Sequence, residues 1–161
     1  MPSKLQWLKI SSIAAAIALL LVVGHDVLYI HSTHDYADSL SQTLTDEYNF
    51  QVSRGNSDDI LDIKLFSLFA NVASKENLDT TIIELSELYA QSRDEYVDYI
   101  DDFTTQIGIQ LAIAYIYNNE YKAAKDVLEC VVEDNPNAKD AQTLLQKIKS
   151  ILFAKFPKKF K

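Results

Sequence analysis

Glycine and proline, the residues that most readily interrupt regular structure, occur only three times each in 161 residues. Long intervals contain neither, so a sandwich or barrel built from many tight turns is ruled out. The expected fold class is all-α, with helices joined by short connections. With 48% hydrophobic residues, the chain supports one modest core and a short accessory segment. Three regions follow from patterning: an N-terminal anchor and juxtamembrane segment (1–34), a helical domain (35–154) and a basic aromatic tail (155–161).

Charge separates the regions. Residues 35–134 hold 21 acidic and six basic side chains, a balance of −15, whereas residues 135–161 hold seven lysines and one aspartate, a balance of +6. A body this acidic repels phosphate backbones, so no nucleic-acid partner is expected. Cys130 is the only cysteine, which excludes an intramolecular disulfide. Glu129 and Glu133 give it the opposite of a thiolate-stabilising setting, and it reads as a small apolar helix residue.

Ile10–Val23 is an uncharged run of 14 residues preceded by Trp7 and Lys9. Trp7 suits the interface and Lys9 can snorkel, so residues 7–30 are expected to form a membrane helix, extended by Val27, Leu28, Tyr29 and Ile30. A cleaved signal is the competing reading, but Val22-Val23-Gly24-His25 is a poor cleavage site and favours a retained single-pass anchor. Lys4 and Lys9 before the span place the N-terminus in the cytoplasm. The domain then faces the far side, the periplasm if the membrane is a bacterial inner membrane.

All three histidines lie between positions 25 and 34. On a continuous helix His31, His34 and Asp35 share one side while His25 points elsewhere, so a metal- or haem-associated membrane subunit is an alternative function. Polar residues at a membrane boundary are the plainer reading, and neither metal nor cofactor is expected. Asp58, Asp59 and Asp62 lack the spacing and glycine of a calcium loop and read as a solvated helix start. Asp94, Asp98, Asp101 and Asp102 read as an outward face, since nothing nearby would raise one pKa selectively.

Tyr36, Leu40, Leu44 and Tyr48 recur every four residues and predict an amphipathic helix from 35 to 52. SRGNS at 53–57 breaks it. A helix from Asp58 carries Ile60, Ile63, Phe66, Phe69 and Val72. After a polar connection at 74–77, Asp79 caps another whose inward face is Ile82, Leu85, Leu88 and Tyr89. Thr105–Ala138, TQIGIQLAIAYIYNNEYKAAKDVLECVVEDNPNA, reads as a helix pair joined at Asn118-Asn119 and closed by Asn135-Pro136.

That pair resembles a tetratricopeptide repeat, a unit of about 34 residues built as an antiparallel helix hairpin. Leu111, Ala112 and Tyr115 match its first helix, Ala124, Leu128 and Val131 its second, and Pro136 its terminating position. Small Ala112 and Ala124 let the helices approach closely. Gly108 departs from the family's large residue and predicts looser packing of the first turn. A degenerate copy is expected at Asp62–Glu95 through Leu68, Phe69, Val72, Thr81, Leu85 and Leu88. It lies 43 residues upstream, with Phe69 in place of a small residue and Arg93 where proline is expected. A final helix, 138–156, would cap the array through Leu144, Leu145, Ile148, Ile151 and Leu152.

The resemblance implies that the first helix of the repeat lines a concave surface, which would receive Gln106, Ile109, Gln110, Ile113, Ile116 and Tyr117. Members that clamp a C-terminal carboxylate use lysine and asparagine there, so Ile109 and Ile113 argue instead for an apolar groove that holds a helix. Either a partner or one of the protein's own helices fills it. In the tail, Phe153, Phe156 and Phe160 alternate with lysines, a pattern for contact with an anionic membrane or an acidic partner. No phosphate loop, paired-histidine zinc motif or nucleophile turn is present, and no enzymatic activity is expected. The expected function is a membrane-anchored adaptor that binds or stabilises protein partners, as an accessory subunit or assembly factor of a membrane complex.

Overall fold

The computed structural model describes residues 24, 27–50, 60–94 and 101–155, and among them are six helices and no strand. They are α1 (residues 27–50), α2 (Ile60–Ser74), α3 (Leu78–Asp94), α4 (Asp101–Tyr117), α5 (Tyr121–Asp134) and α6 (Lys139–Lys155). From α2 onward each helix packs on the next, most extensively α4 on α5, and α2 also reaches α4. Among the described residues no helix is long and apolar enough to cross a membrane. The anchor expected at 7–30 lies outside them except for residues 24 and 27–30.

Local chemistry accounts for the turns. Asn77 and Asn119 take positive φ, 50° and 62°, and Lys75 takes 61°. Asparagine tolerates this left-handed conformation better than most residues, so the α2–α3 and α4–α5 reversals fall where it is supplied. Asn135 ends α5 as the spacing predicts. Its backbone N–H donates to Val131 O at 2.8 Å, its Nδ2 to Thr105 Oγ1 at 3.2 Å, and its Oδ1 accepts from the Asn137 N–H. One side chain thereby stops a helix and ties its end to α4.

The core follows the expected residues through most of the stack. Ala112 and Ala124 are fully buried, with Leu111, Leu128 and Val131 around them. Ala141, Leu144, Leu145, Ile148 and Ile151 of α6 close that core, and Leu152 packs at its margin. In α3, Ile82, Leu85 and Tyr89 are buried and Leu88 half-buried.

The inward face of α2 is Leu65, Leu68, Phe69 and Val72, while Ile63 is 61% exposed. One expectation is corrected. Gly108 marks tight packing, not loose. A Cβ there would overlap Val131 Cγ2 and come within 2.8 Å of Tyr89 Cε2, so the missing side chain is what lets α3 and α5 close on α4.

Candidate partner-binding groove

The surface expected to be concave, and to be filled either by a partner or by one of the protein's own helices, is covered by α1. Its small residues Thr33, Ala37, Ser41 and Thr45 form one row and Leu40, Leu44 and Tyr48 the next, and all seven are buried. Small residues on one row allow close approach, while the large row fills the space beside it. Ile109, Gln110, Ile113 and Ile116 are buried, and Gln106 and Tyr117 half-buried. Of the chain's own helices, the one that follows the expected anchor takes the groove.

At its centre is Gln110, fully buried in an otherwise apolar stretch. Ser41 Oγ donates to Gln110 Oε1 at 3.0 Å, and Gln110 Nε2 donates to Ser41 O at 3.2 Å and Thr45 Oγ1 at 3.4 Å. A buried amide without such partners would be costly, so these bonds set the register of α1 on α4. Nearer the C-terminal end of α1, Tyr48 Oη donates to Asp62 Oδ1 at 2.9 Å and its ring meets Phe69 and Phe103 edge-on, at 5.2 and 5.5 Å.

Towards its N-terminal half α1 crosses a polar cluster. Lys75 Nζ pairs with Asp38 at 2.9 Å and lies 4.7 Å from the Tyr117 ring centre. His34 Nε2 is 3.1 Å from Tyr121 Oη, and its ring also faces Tyr117. Burial, then Lys75, lowers the His34 pKa, against the opposing pull of Asp38 and Asp35. Burial, then the Asp38 carboxylate, raises that of Tyr117. Further on, Tyr36 Oη donates to Asp140 at 2.9 Å and Lys147 Nζ to Ser32 Oγ at 2.8 Å. The helix therefore runs diagonally over α2, α4 and α6.

The expected side shared by His31, His34 and Asp35 is not a ligand set. His31 pairs outward with Asp35 at 3.5 Å, while His34 turns to Tyr121. Among the described residues no three His, Cys, Asp or Glu side chains are grouped to hold a metal ion, and His25 lies outside those residues. Phe153 is 72% exposed. Phe156 and Phe160 lie outside the described residues.

What sequence reasoning missed is the role of Ser41, Thr45 and Asp38 in holding α1. The available signal was the small-residue row beside the apolar stripe, paired with one glutamine inside an apolar helix. Among the described residues other outward apolar side chains include Ile63 of α2 and Ile83 of α3, 61% and 58% exposed. A cavity of about 260 Å³ opens between α2, α3 and α4, lined by Leu65, Leu88, Phe103 and Ile107 with Asp62 and Ser92 among its polar groups. No protein-family model, curated protein or solved structure matches the chain.

Proposed function

We propose that this protein is a membrane-anchored scaffold of the tetratricopeptide-repeat type that binds or stabilises protein partners, as an accessory subunit or assembly factor of a membrane complex. The observation that carries the reading is the seating of α1. The face of α4 that the repeat resemblance assigns to partner binding is covered by the helix that follows the proposed anchor in sequence. A stack whose own helix fills that face suits a scaffold better than a clamp for a free peptide. In this reading the anchor spans the bacterial inner membrane with its N-terminus cytoplasmic and the helical stack in the periplasm.

Because α1 occupies the groove, partner contact moves to the outward surfaces: Ile63 and Ile83, the α2–α3–α4 cavity, and the end that carries Phe153. Photo-crosslinking residues placed at Ile63, Ile83 and Phe153 in native membranes should capture a discrete protein, and one at buried Ile113 should capture none. Recovery of free monomer alone after detergent extraction, with no adduct from the three exposed positions, would overturn the reading.

A further inference from the structure

The turns after α2 and α4 are built alike. After α2, the Lys75 N–H donates to Val72 O at 3.1 Å and the Glu76 N–H to Asn71 O at 2.9 Å. After α4, the Asn119 N–H donates to Ile116 O at 3.0 Å and the Glu120 N–H to Tyr115 O at 2.8 Å. Each pair of bonds closes a Schellman motif, whose left-handed residue is usually glycine and sometimes asparagine. Asn119 fits that rule at φ 62°, but the matching position after α2 is Lys75 at φ 61°. Asparagine eases this conformation by local hydrogen bonding, which lysine cannot do, so the turn after α2 carries strain that the turn after α4 avoids.

The Lys75 side chain gives a reason for that strain. Its Nζ lies 2.9 Å from each carboxylate oxygen of Asp38 on α1 and 4.7 Å from the ring centre of Tyr117 on α4. One cation thus ties the turn, α1 and α4 together, and it does so over the less firmly seated half of α1. Between residues 40 and 48, α1 buries Leu40, Leu44 and Tyr48, and the bonds between Ser41 and Gln110 are buried with them. Between residues 30 and 38 it buries Thr33 and Ala37, while Ile30 and Tyr36 pack against the core only in part. The rest of the hold on that half is polar. Ser32 meets Lys147, Tyr36 meets Asp140 and Asp38 meets Lys75 in exposed bonds, and His34 meets Tyr121 in a half-buried one. Exposed polar contacts exchange for water at little cost, whereas buried leucine and tyrosine side chains do not.

We infer that residues 30–38 form a flap that lifts from the stack while residues 40–48 stay seated, and that Lys75 is the latch that holds it down. Lifting bares Tyr117 of α4 and Tyr121 of α5 and leaves Gln110 bonded to Ser41. The covered face of α4 is thereby divided into a fixed part and a part that opens. The inference depends on neither the proposed anchor nor any partner.

Amide hydrogen exchange on the full chain tests it, with peptides that separate residues 32–38 from 41–48. Lys75→Asn suits the turn and removes the cation. It should speed exchange at 32–38 by about three- to thirtyfold, the range expected for losing one exposed ion pair and one cation–π contact, and leave 41–48 unchanged. Its melting temperature should not fall below the parent's, because relief of the turn offsets the lost contacts. Asp38→Asn leaves the turn untouched and should speed exchange in the same residues. The double variant should be no faster than Lys75→Asn alone, since both changes remove one interaction. Equal acceleration at 32–38 and 41–48 would mean that α1 lifts as one body, and unchanged exchange in both single variants would mean that Lys75 latches nothing. Either result overturns the inference, as does a Lys75→Asn protein that melts below the parent with faster exchange throughout, which would make Lys75 a general support of the stack.

Discussion

At Gly108 a methyl group would meet Val131 and Tyr89. Alanine favours a helix over glycine by roughly 1 kcal/mol, but overpacking a tight core costs about 1–3 kcal/mol. Urea unfolding should therefore find Gly108→Ala less stable than the parent, and a more stable variant would contradict the close approach of α3 and α5. Gln110→Leu should cost about 1–3 kcal/mol by stranding the Ser41 hydroxyl. Adding Ser41→Ala should recover much of that loss, because removing both partners of a buried hydrogen bond leaves nothing unpaired. Failure of the second substitution to rescue the first would mean that the pair does not set the register. His34 faces Tyr117 and Tyr121, with Lys75, Asp38, Asp35 and His31 as its charged or titratable neighbours. Its pKa is lowered from 6.5 on folding, so the unfolded chain takes up the proton first as pH falls. The full contribution is present above pH 6.5 and declines as pH drops through that value towards the folded pKa. Thermal melts across this window should show a loss of stability that His34→Gln reduces.

At the scale of elements, α1 is the part whose attachment matters most. Two leucines and one tyrosine of its large row are buried, and each leucine contributes about 1.5–3 kcal/mol when fully removed from water. Leu44→Asp forfeits that gain and adds a charge with no partner in the groove, so α1 should release while α4, α5 and α6 hold together. Hydrogen exchange would then accelerate across residues 27–50 and at Ile109–Ile116 but remain slow in α5 and α6. Loss of protection throughout would show that the stack does not persist with an empty groove. The periodicity of α1 was legible from Tyr36, Leu40, Leu44 and Tyr48. That of α2 was less so, because Ile60, Ile63, Phe66, Phe69 and Val72 recur every three residues, and a spacing of three without its companion four turns away from any single face.

For the whole molecule, charge opposes itself. The exposed pairs Lys64–Glu84, Arg93–Asp134 and Lys149–Glu129 bridge different helices and Lys75–Asp38 ties the α2–α3 turn to α1, yet each such surface pair contributes only about 0.2–1 kcal/mol. Against them stands the −15 balance of residues 35–134. Screening weakens both, and the diffuse repulsion is the larger sum. The melting temperature should therefore rise as salt is increased from about 0.05 to 0.5 M, two concentrations between which the Debye length shrinks about threefold. A fall would show that the inter-helix pairs outweigh the repulsion.

The sequence by itself determined the helical class, the reversal at Asn118-Asn119, the stop at Asn135, the alanine contact between α4 and α5 and the closing face of α6. These depend on the conformational limits of a few residues and on periodicity within single helices, so they are written locally. The tertiary structure alone decided that α1 fills the groove, that Gly108 admits its neighbours and that His31 and His34 part company. Ser41 and Gln110 are 69 positions apart, and no local rule names which helix will cover a given face. Glycine, likewise, reads the same in sequence whether it leaves a gap or lets another helix in.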